Sequence, residues 1–345
     1  MIIFKIRQYI FQSELYFLKR FFFYSGIWNT SDQENITSKL NHKSELYQEN
    51  KKLLKVAILG LPNAGKSTLV NKLIGRSICP TSSKVHTTMH KAEAIYTEGN
   101  TQIIFMDTPG LVLSNEIKTY KLLKTFSEDP KNAITNADVI GIIQDVTNVY
   151  TRYKFENFVL NYIKNKMEDT PLLMIFNKVD KLKKKEVLLD LTRILTNNNN
   201  YPKFDDIFMI SALNGDGVDD LRNYLLDIAK LKNWKYKKEI YTDQSIKTII
   251  EQTVRAKLLD ILPYEMPYKM RIIIDHLEFG DDSINTLLTL DCPKERYVRT
   301  LLKMKSHKIK CLAFDVEKEL RHAFRTTVIV RINVKCTNSE SSQLH

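Results

Sequence analysis

Residues 53–75 read LLKVAILGLPNAGKSTLVNKLIG. The run from Leu53 to Leu59 is short and apolar, which predicts a buried strand. From Gly60 the chain follows a fixed spacing: glycine, four residues, then Gly65-Lys66-Ser67. A strand leading into that spacing, with a helix after it, is the context of a phosphate-binding loop. The glycines let the backbone close around an anion. The N–H groups of the loop and of the next helix's first turn then point at the phosphates. Gly60, Asn63, Ala64, Gly65, Lys66, Ser67 and Thr68 are therefore assigned to nucleotide phosphates. Lys66 reaches the β and γ phosphates, and Ser67 serves as a Mg²⁺ ligand.

Three later stretches fix which nucleotide. TQIIFMDTPG, residues 101–110, is an apolar run that delivers Asp107 and then Thr108, Pro109 and Gly110. An acid there holds Mg²⁺ through water, and the Gly110 N–H meets a γ-phosphate. TPLLMIFNKVD, residues 170–180, is read as a third strand, ending in Asn177-Lys178-Val179-Asp180. Guanine offers an N1–H and a 2-amino donor, which the Asp180 carboxylate can accept together; adenine offers no such pair. Asn177 contacts the base edge and supports the loop, and the stem of Lys178 lies across the ring. DIFMISALNGDGVDDL places Ser211-Ala212 after a strand, with the Ala212 N–H aimed at the guanine carbonyl. Each motif ends a strand on the edge where open α/β sheets bind ligands. The effector-loop threonine, which senses Mg²⁺ and the γ-phosphate, falls in PTSSKVHTTMH: Thr88, with Thr87 as the alternative. Lys66, Thr88 and Gly110 form the catalytic set. Leu111 stands where a Ras-like enzyme puts a water-positioning glutamine, so hydrolysis is expected to be slow or assisted.

The chain has 345 residues, 43% hydrophobic, which suffices for two domains, and a formal charge of +12, which favours anionic partners such as RNA or lipid head groups. Four cysteines lie scattered without paired spacing and read as reduced thiols. Residues 1–28 are basic, nearly free of acids and interrupted by charges, which fits a mitochondrial targeting segment. A polar lead-in follows over 29–52. Residues 53–232 are expected to form a parallel-rich α/β sheet with helices on both faces. A basic, aromatic linker occupies 233–245, with Trp234 and Tyr236 expected to pack between domains. Residues 246–336 read as helix, strand, strand, two helices and strand, a small α+β domain, and 337–345 as a tail.

GLPNAGKSTLVNKLIG, TTMH, DTPGLV, NKVD and SALNGDGVDDL together resemble the Era family of GTPases. Residues 240–274 are similar to the junction where the GTPase domain of that family meets a C-terminal KH-type RNA-binding domain. With the N-terminal extension, the likeness is to the family's mitochondrial branch in animals. It implies GTP and GDP as ligands, Mg²⁺, and a K⁺ ion beside Asn63 in place of the missing glutamine. It implies an assembly factor for the mitochondrial small ribosomal subunit that binds small-subunit rRNA near its 3′ end. The expected site is the matrix, with association at the inner membrane, and no obligate oligomer. Two positions depart from the family pattern: Ala64 replaces a valine and Met89 an arginine.

A larger departure lies in LLKMKSHKIK, residues 301–310. The family's Gly-x-x-Gly loop, which clamps a nucleic-acid backbone, aligns with Lys303-Met304-Lys305-Ser306, and both glycines are gone. Lysine side chains reach phosphates from farther away, so Lys303, Lys305, Lys308 and Lys310 are assigned to RNA. The alternative is a G-protein module whose altered KH domain docks a protein or an anionic membrane.

Overall fold

The computed structural model describes residues 50–81, 92–107, 134–155, 159–160, 170–196, 201–262, 266–302 and 307–336. The chain divides into a unit of residues 1–51 and a unit from Lys52 onward, which carries both of the sheets below.

The first sheet takes β1 (Lys52–Leu59), β2 (Ala92–Glu98), β3 (Thr101–Asp107), β4 (Val139–Asp145), β5 (Leu172–Asn177) and β6 (Asp206–Ile210) in the order β2-β3-β1-β4-β5-β6. All neighbours are parallel except β2, which forms a hairpin with β3. The short β7 (Lys230–Leu231) pairs antiparallel with the start of β1. A parallel sheet is buried on both faces, so its strands are apolar throughout. In β1, Leu54, Val56 and Ile58 join one core with α1 (Lys66–Ile74) and α3 (Val218–Asp227). Ala57 and Leu59 join the other core, with α2 (Glu186–Thr196). β5 divides likewise, with Leu173 and Ile175 on one side and Leu172, Met174 and Phe176 on the other. This is the expected P-loop GTPase sheet with helices on both faces.

The strand count needs correction. LLMIFN, expected as the third strand, is β5, and TQIIFMD is β3; β2 and β4 are strands beyond those expected. In AEAIYTE two glutamates break the apolar run, and β2 is held by its hairpin across Gly99-Asn100 and by side chains from beyond residue 230. β4 is anchored at its start by Asp138, whose carboxylate accepts the Lys55 N–H at 2.9 Å. α2 starts at Glu186, and Lys181, Lys183, Lys184 and Lys185 are exposed before it.

Residues 246–336 form the expected small α+β domain: α4 (Ile246–Ile261), α5 (Met266–Lys269), β8 (Arg271–Phe279), β9 (Ser283–Cys292), α6 (Glu295–Leu302), α7 (His307–Phe324) and β10 (Thr327–Cys336). Ser245 caps α4, its hydroxyl accepting the Thr248 N–H at 3.1 Å. The sheet order is β10-β9-β8, with β9 parallel to β10 and antiparallel to β8. α4, α6 and α7 cover one face. Val254 and Leu258, Tyr297 and Leu301, and Leu312, Val316 and Leu320 bury against Leu288, Leu290, Val328 and Val330. Lys257 and Glu319 tie α4 to α7 at 2.8 Å.

The linker aromatics pack on the hairpin of the first sheet. Trp234 Nε1 donates to Asn100 O at 3.0 Å, and the Tyr236 hydroxyl donates to Glu93 at 2.7 Å. Gln102, fully buried, accepts the N–H groups of Lys235 and Tyr236. The two domains also meet where α1 and α7 end. Arg76 Nη1 donates to Ala323 O at 2.9 Å, and Ser77 Oγ lies 2.8 Å from His322 Nδ1. No helix among the described residues is long and apolar enough to cross a membrane.

Candidate nucleotide-binding site

β1 stops at Leu59, and Gly60 must pass close to β4: a Cβ there would lie 2.5 Å from the Ile143 carbonyl oxygen. Gly65 then turns the chain into α1 with φ at +101°, and a Cβ there would lie 2.2 Å from the Asn177 amide nitrogen. Both glycines are demanded by the space around them, and Gly65 by its torsion as well. Between them Asn63 is exposed and left-handed, with φ at 60°. The side chain of Lys66 is drawn back over the loop, where Nζ donates to Gly60 O and Leu61 O, both at 3.1 Å. An ammonium held by two carbonyls inside the loop faces the loop's own concavity. Ser67 and Thr68 follow in the first turn of α1, a turn whose N–H groups have no partners within the helix.

Asp107 ends β3 and pairs in register with Ile58, two residues before Gly60. The backbone therefore carries it to the same edge of the sheet as the loop. Thr87, Thr88, Thr108, Gly110, Leu111, Lys303 and Lys305 lie outside the described residues.

Asn177 is the centre of the site. It is 2% exposed, its Nδ2 donates to Ala64 O at 2.8 Å, and its Oδ1 accepts the Ala212 N–H at 3.0 Å. It joins the phosphate loop to the Ser211-Ala212 turn, so both ends of the amide serve loop support. The Ala212 N–H, expected to meet a guanine carbonyl, is committed to Asn177 in this structure. Ser211 is fully buried, and its hydroxyl accepts the Asn214 N–H. Lys178 is left-handed at φ 67°. Its ammonium reaches back over the site to Asn63 O at 2.8 Å and to the Asp145 carboxylate at 2.6 Å. Asp180 sits in a short 3₁₀ turn, Val179–Lys181, and is exposed. Four strand ends thus converge, and the groups they carry match a nucleotide: an anion cradle at the loop and an acceptor carboxylate beyond Asn177.

Two residues of the site had been missed. Asp145 ends β4 just as Asp107 ends β3; it pairs with Lys178 and accepts from Thr147, N–H at 2.9 Å and hydroxyl at 2.6 Å. The signal was present in VIGIIQD, an apolar run ending in an acid. Asn71, in α1, is 8% exposed; its amide donates to Cys79 O at 2.7 Å and accepts from the N–H groups of Ile78 and Cys79. It clamps the chain leaving α1 toward residues 82–91. No sequence signal marks it, because the contact forms only when the chain doubles back.

Lys308 and Lys310 lie in the first turn of α7, two positions apart, and so point to different sides of the helix. They are not a single cluster.

Residues 55–178 match the family model described as a 50S ribosome-binding GTPase. The chain is 32% identical to mitochondrial GTPase Era of Danio rerio, with 83% of this chain and 76% of that protein covered. It is 30% identical to GTPase Era of Glaesserella parasuis serovar 5, covering 81% and 90% respectively. Among solved structures it resembles Era in complex with MgGDPNP and nucleotides 1506–1542 of 16S ribosomal RNA, with TM-score 0.70, 25% identity, and coverage of 84% of this chain and 95% of that one. With the phosphate loop, the Asn177 tie and the second small sheet all in place, the chain belongs to the Era family of GTPases.

Proposed function

We propose that this chain is a GTP-controlled RNA-binding factor for the small ribosomal subunit of mitochondria. The likeness to Era bound to both MgGDPNP and a 16S rRNA segment carries the reading, because it spans both sheets of this chain. The mitochondrial setting rests on the name of the Danio rerio relative and on the basic, acid-poor residues 1–28. Matrix residence with inner-membrane association is part of the same proposal.

The site roles follow the chemistry. Lys66 serves the β and γ phosphates. Ser67, Asp107 and Thr88 would hold Mg²⁺, which neutralises phosphate charge when bound. Asp180 selects guanine. Asn63 offers its side-chain oxygen to K⁺ beside the phosphates, since Leu111 has no polar group to orient water. Lys303, Lys305, Lys308 and Lys310 supply charge to RNA phosphates.

The test measures binding of the full chain, loaded with GTP analogue or GDP, to an RNA matching the 16S segment named above. Binding that is steep in salt and stronger with the GTP analogue supports the proposal. Absence of RNA binding at low salt in both states would leave docking to a protein or anionic membrane as the reading.

A further inference from the structure

Helix α7 buries Leu312, Val316, Leu320 and Ala323 completely, and a helix so packed should turn polar residues outward. Phe314 breaks that pattern. It is 63% exposed on the solvent face. A single exposed apolar side chain is ordinary. What distinguishes this one is its company: Lys310 and Lys318 stand four residues before and after it, in the same surface row, and both are exposed.

The acids near the row do not cancel those lysines. Glu317 turns away to β10, its carboxylate accepting the Val330 N–H at 2.9 Å and pairing with Arg321 at 3.1 Å. Arg321 in turn donates to Val328 O at 3.3 Å. Glu319 belongs to Lys257 at 2.8 Å. Asp315 is about 100° round the helix from Phe314. Among the described residues no carboxylate pairs with Lys310 or Lys318. The result is an aromatic face between two free cations, each about 6 Å away along the axis.

We propose that Phe314 is a stacking platform for an unpaired RNA base, with Lys310 and Lys318 holding the phosphates on either side of it. A π-face accepts any base, and flanking cations follow the backbone, which together form the usual chemistry of single-strand binding. Charge complementarity favours RNA as the occupant over a protein surface, since the row offers two cations and no acceptor. The platform gives the small domain a contact to bases that lysine side chains alone cannot give. The inference rests on the RNA-binding reading above.

The experiment uses the full chain and fluorescent single-stranded RNA of about ten nucleotides, scanned with one abasic position at a time. Phe314→Ala should weaken binding roughly 5- to 100-fold, leave the salt slope unchanged, and leave melting temperature and GDP binding unaltered. Phe314→Trp should restore affinity. Lys310→Ala with Lys318→Ala should instead flatten the salt slope by about 1.4 units. In the parent, one abasic position should weaken binding far more than the others, and that contrast should vanish in Phe314→Ala. If the parent binds RNA and Phe314→Ala binds equally well, the platform is refuted while the RNA-binding reading stands. If the parent binds no RNA, both fall. If Phe314→Ala loses only flotation with cardiolipin vesicles, the platform is refuted in favour of a membrane contact.

Discussion

Asn177 and Ala64 lie 113 residues apart and are joined by a buried hydrogen bond of 2.8 Å. The other end of the same amide accepts from Ala212. One side chain therefore sets the distance between the phosphate loop and the turn after β6. The Gly65 backbone passes so close that no side chain fits between them. The loop and the turn are thus held in register by the protein's own contacts.

The first prediction follows from that tie. Asn177→Ala leaves a buried carbonyl and a buried N–H unpaired, which costs roughly 2–5 kcal/mol in all. Thermal melting should fall accordingly, and GTP and GDP should both bind more weakly. Asn177→Asp keeps the acceptor for Ala212 but loses the donor to Ala64, and should fall between the two. An unchanged melting temperature for Asn177→Ala would show that the tie contributes nothing.

The second concerns base choice. Asp180 is exposed three residues after Asn177, and its carboxylate matches the two donors of guanine. ATP should fail to compete with GTP for the parent. Asp180→Asn should relax that preference by at least about tenfold, since a site built for hydrogen bonds rejects a ligand lacking them strongly. Competition binding with both nucleotides measures it. Equal affinity for ATP and GTP in the parent would overturn the assignment.

Much of this site was legible in the sequence because its residues sit where apolar runs end. Gly65, Lys66, Asp107, Asn177 and Ala212 each follow a strand that hydrophobicity alone reveals. β2 escaped because Glu93 interrupts its run; that carboxylate is paired with Lys235 at 2.6 Å and Tyr236 at 2.7 Å, partners about 140 residues away that no local pattern shows. The partners of Asn177 were hidden for the same reason. The sequence offers Ala212 as a donor to a ligand, whereas packing gives that N–H to a neighbouring side chain. Phe314 was unremarked because an apolar residue in a helix reads as core until its face is known.

The third prediction concerns hydrolysis. Leu111 cannot orient water, and Asn63 is exposed at the loop. Turnover should be slow, and faster in potassium than in sodium chloride at equal ionic strength. Asn63→Ala should remove the difference between the salts. Identical parent rates in the two salts would dismiss the cation while leaving GTP hydrolysis itself untouched.

The fourth uses thiol chemistry. Burial, with Cys336 and Asp291 nearby, pushes the Cys292 thiol up to about 11. Cys311 is exposed on α7. At pH 8 an alkylating reagent should therefore modify Cys311 well before Cys292, because the thiolate is the reactive form. The same shift gives a pH dependence. Folding favours the protonated thiol, so this contribution to stability is complete below the unfolded pKa of about 8.5. It is lost as pH rises through about 11. Cys292→Ala should flatten the alkaline limb of the melting curve. Peptide mapping that finds Cys292 labelled first would contradict the burial argument.

The fifth concerns communication between the two domains. α1 begins at the phosphate loop and ends against α7, where Arg76 donates to Ala323 O at 2.9 Å. The same guanidinium lies 4.2 Å from the centre of the Tyr241 ring, on the linker. Arg222 holds the neighbouring end of α1 through Leu73 O at 3.0 Å and Lys72 O at 3.2 Å. A shift of α1 on nucleotide exchange would thus be felt by α7 through rigid contacts. If that route operates, RNA affinity should differ between GTP-analogue and GDP forms of the parent by roughly 5- to 150-fold. Arg76→Ala should bring that ratio close to one while leaving GDP affinity alone. Arg76→Lys should rescue only part of it, because an ammonium cannot donate to Ala323 and cover the Tyr241 ring as a planar guanidinium does. Linkage demands the reciprocal effect: RNA should tighten GTP-analogue binding relative to GDP binding in the parent by the same factor, and in Arg76→Ala it should not. Should the ratio survive in Arg76→Ala in both directions, the contact is packing alone, and coupling must run elsewhere.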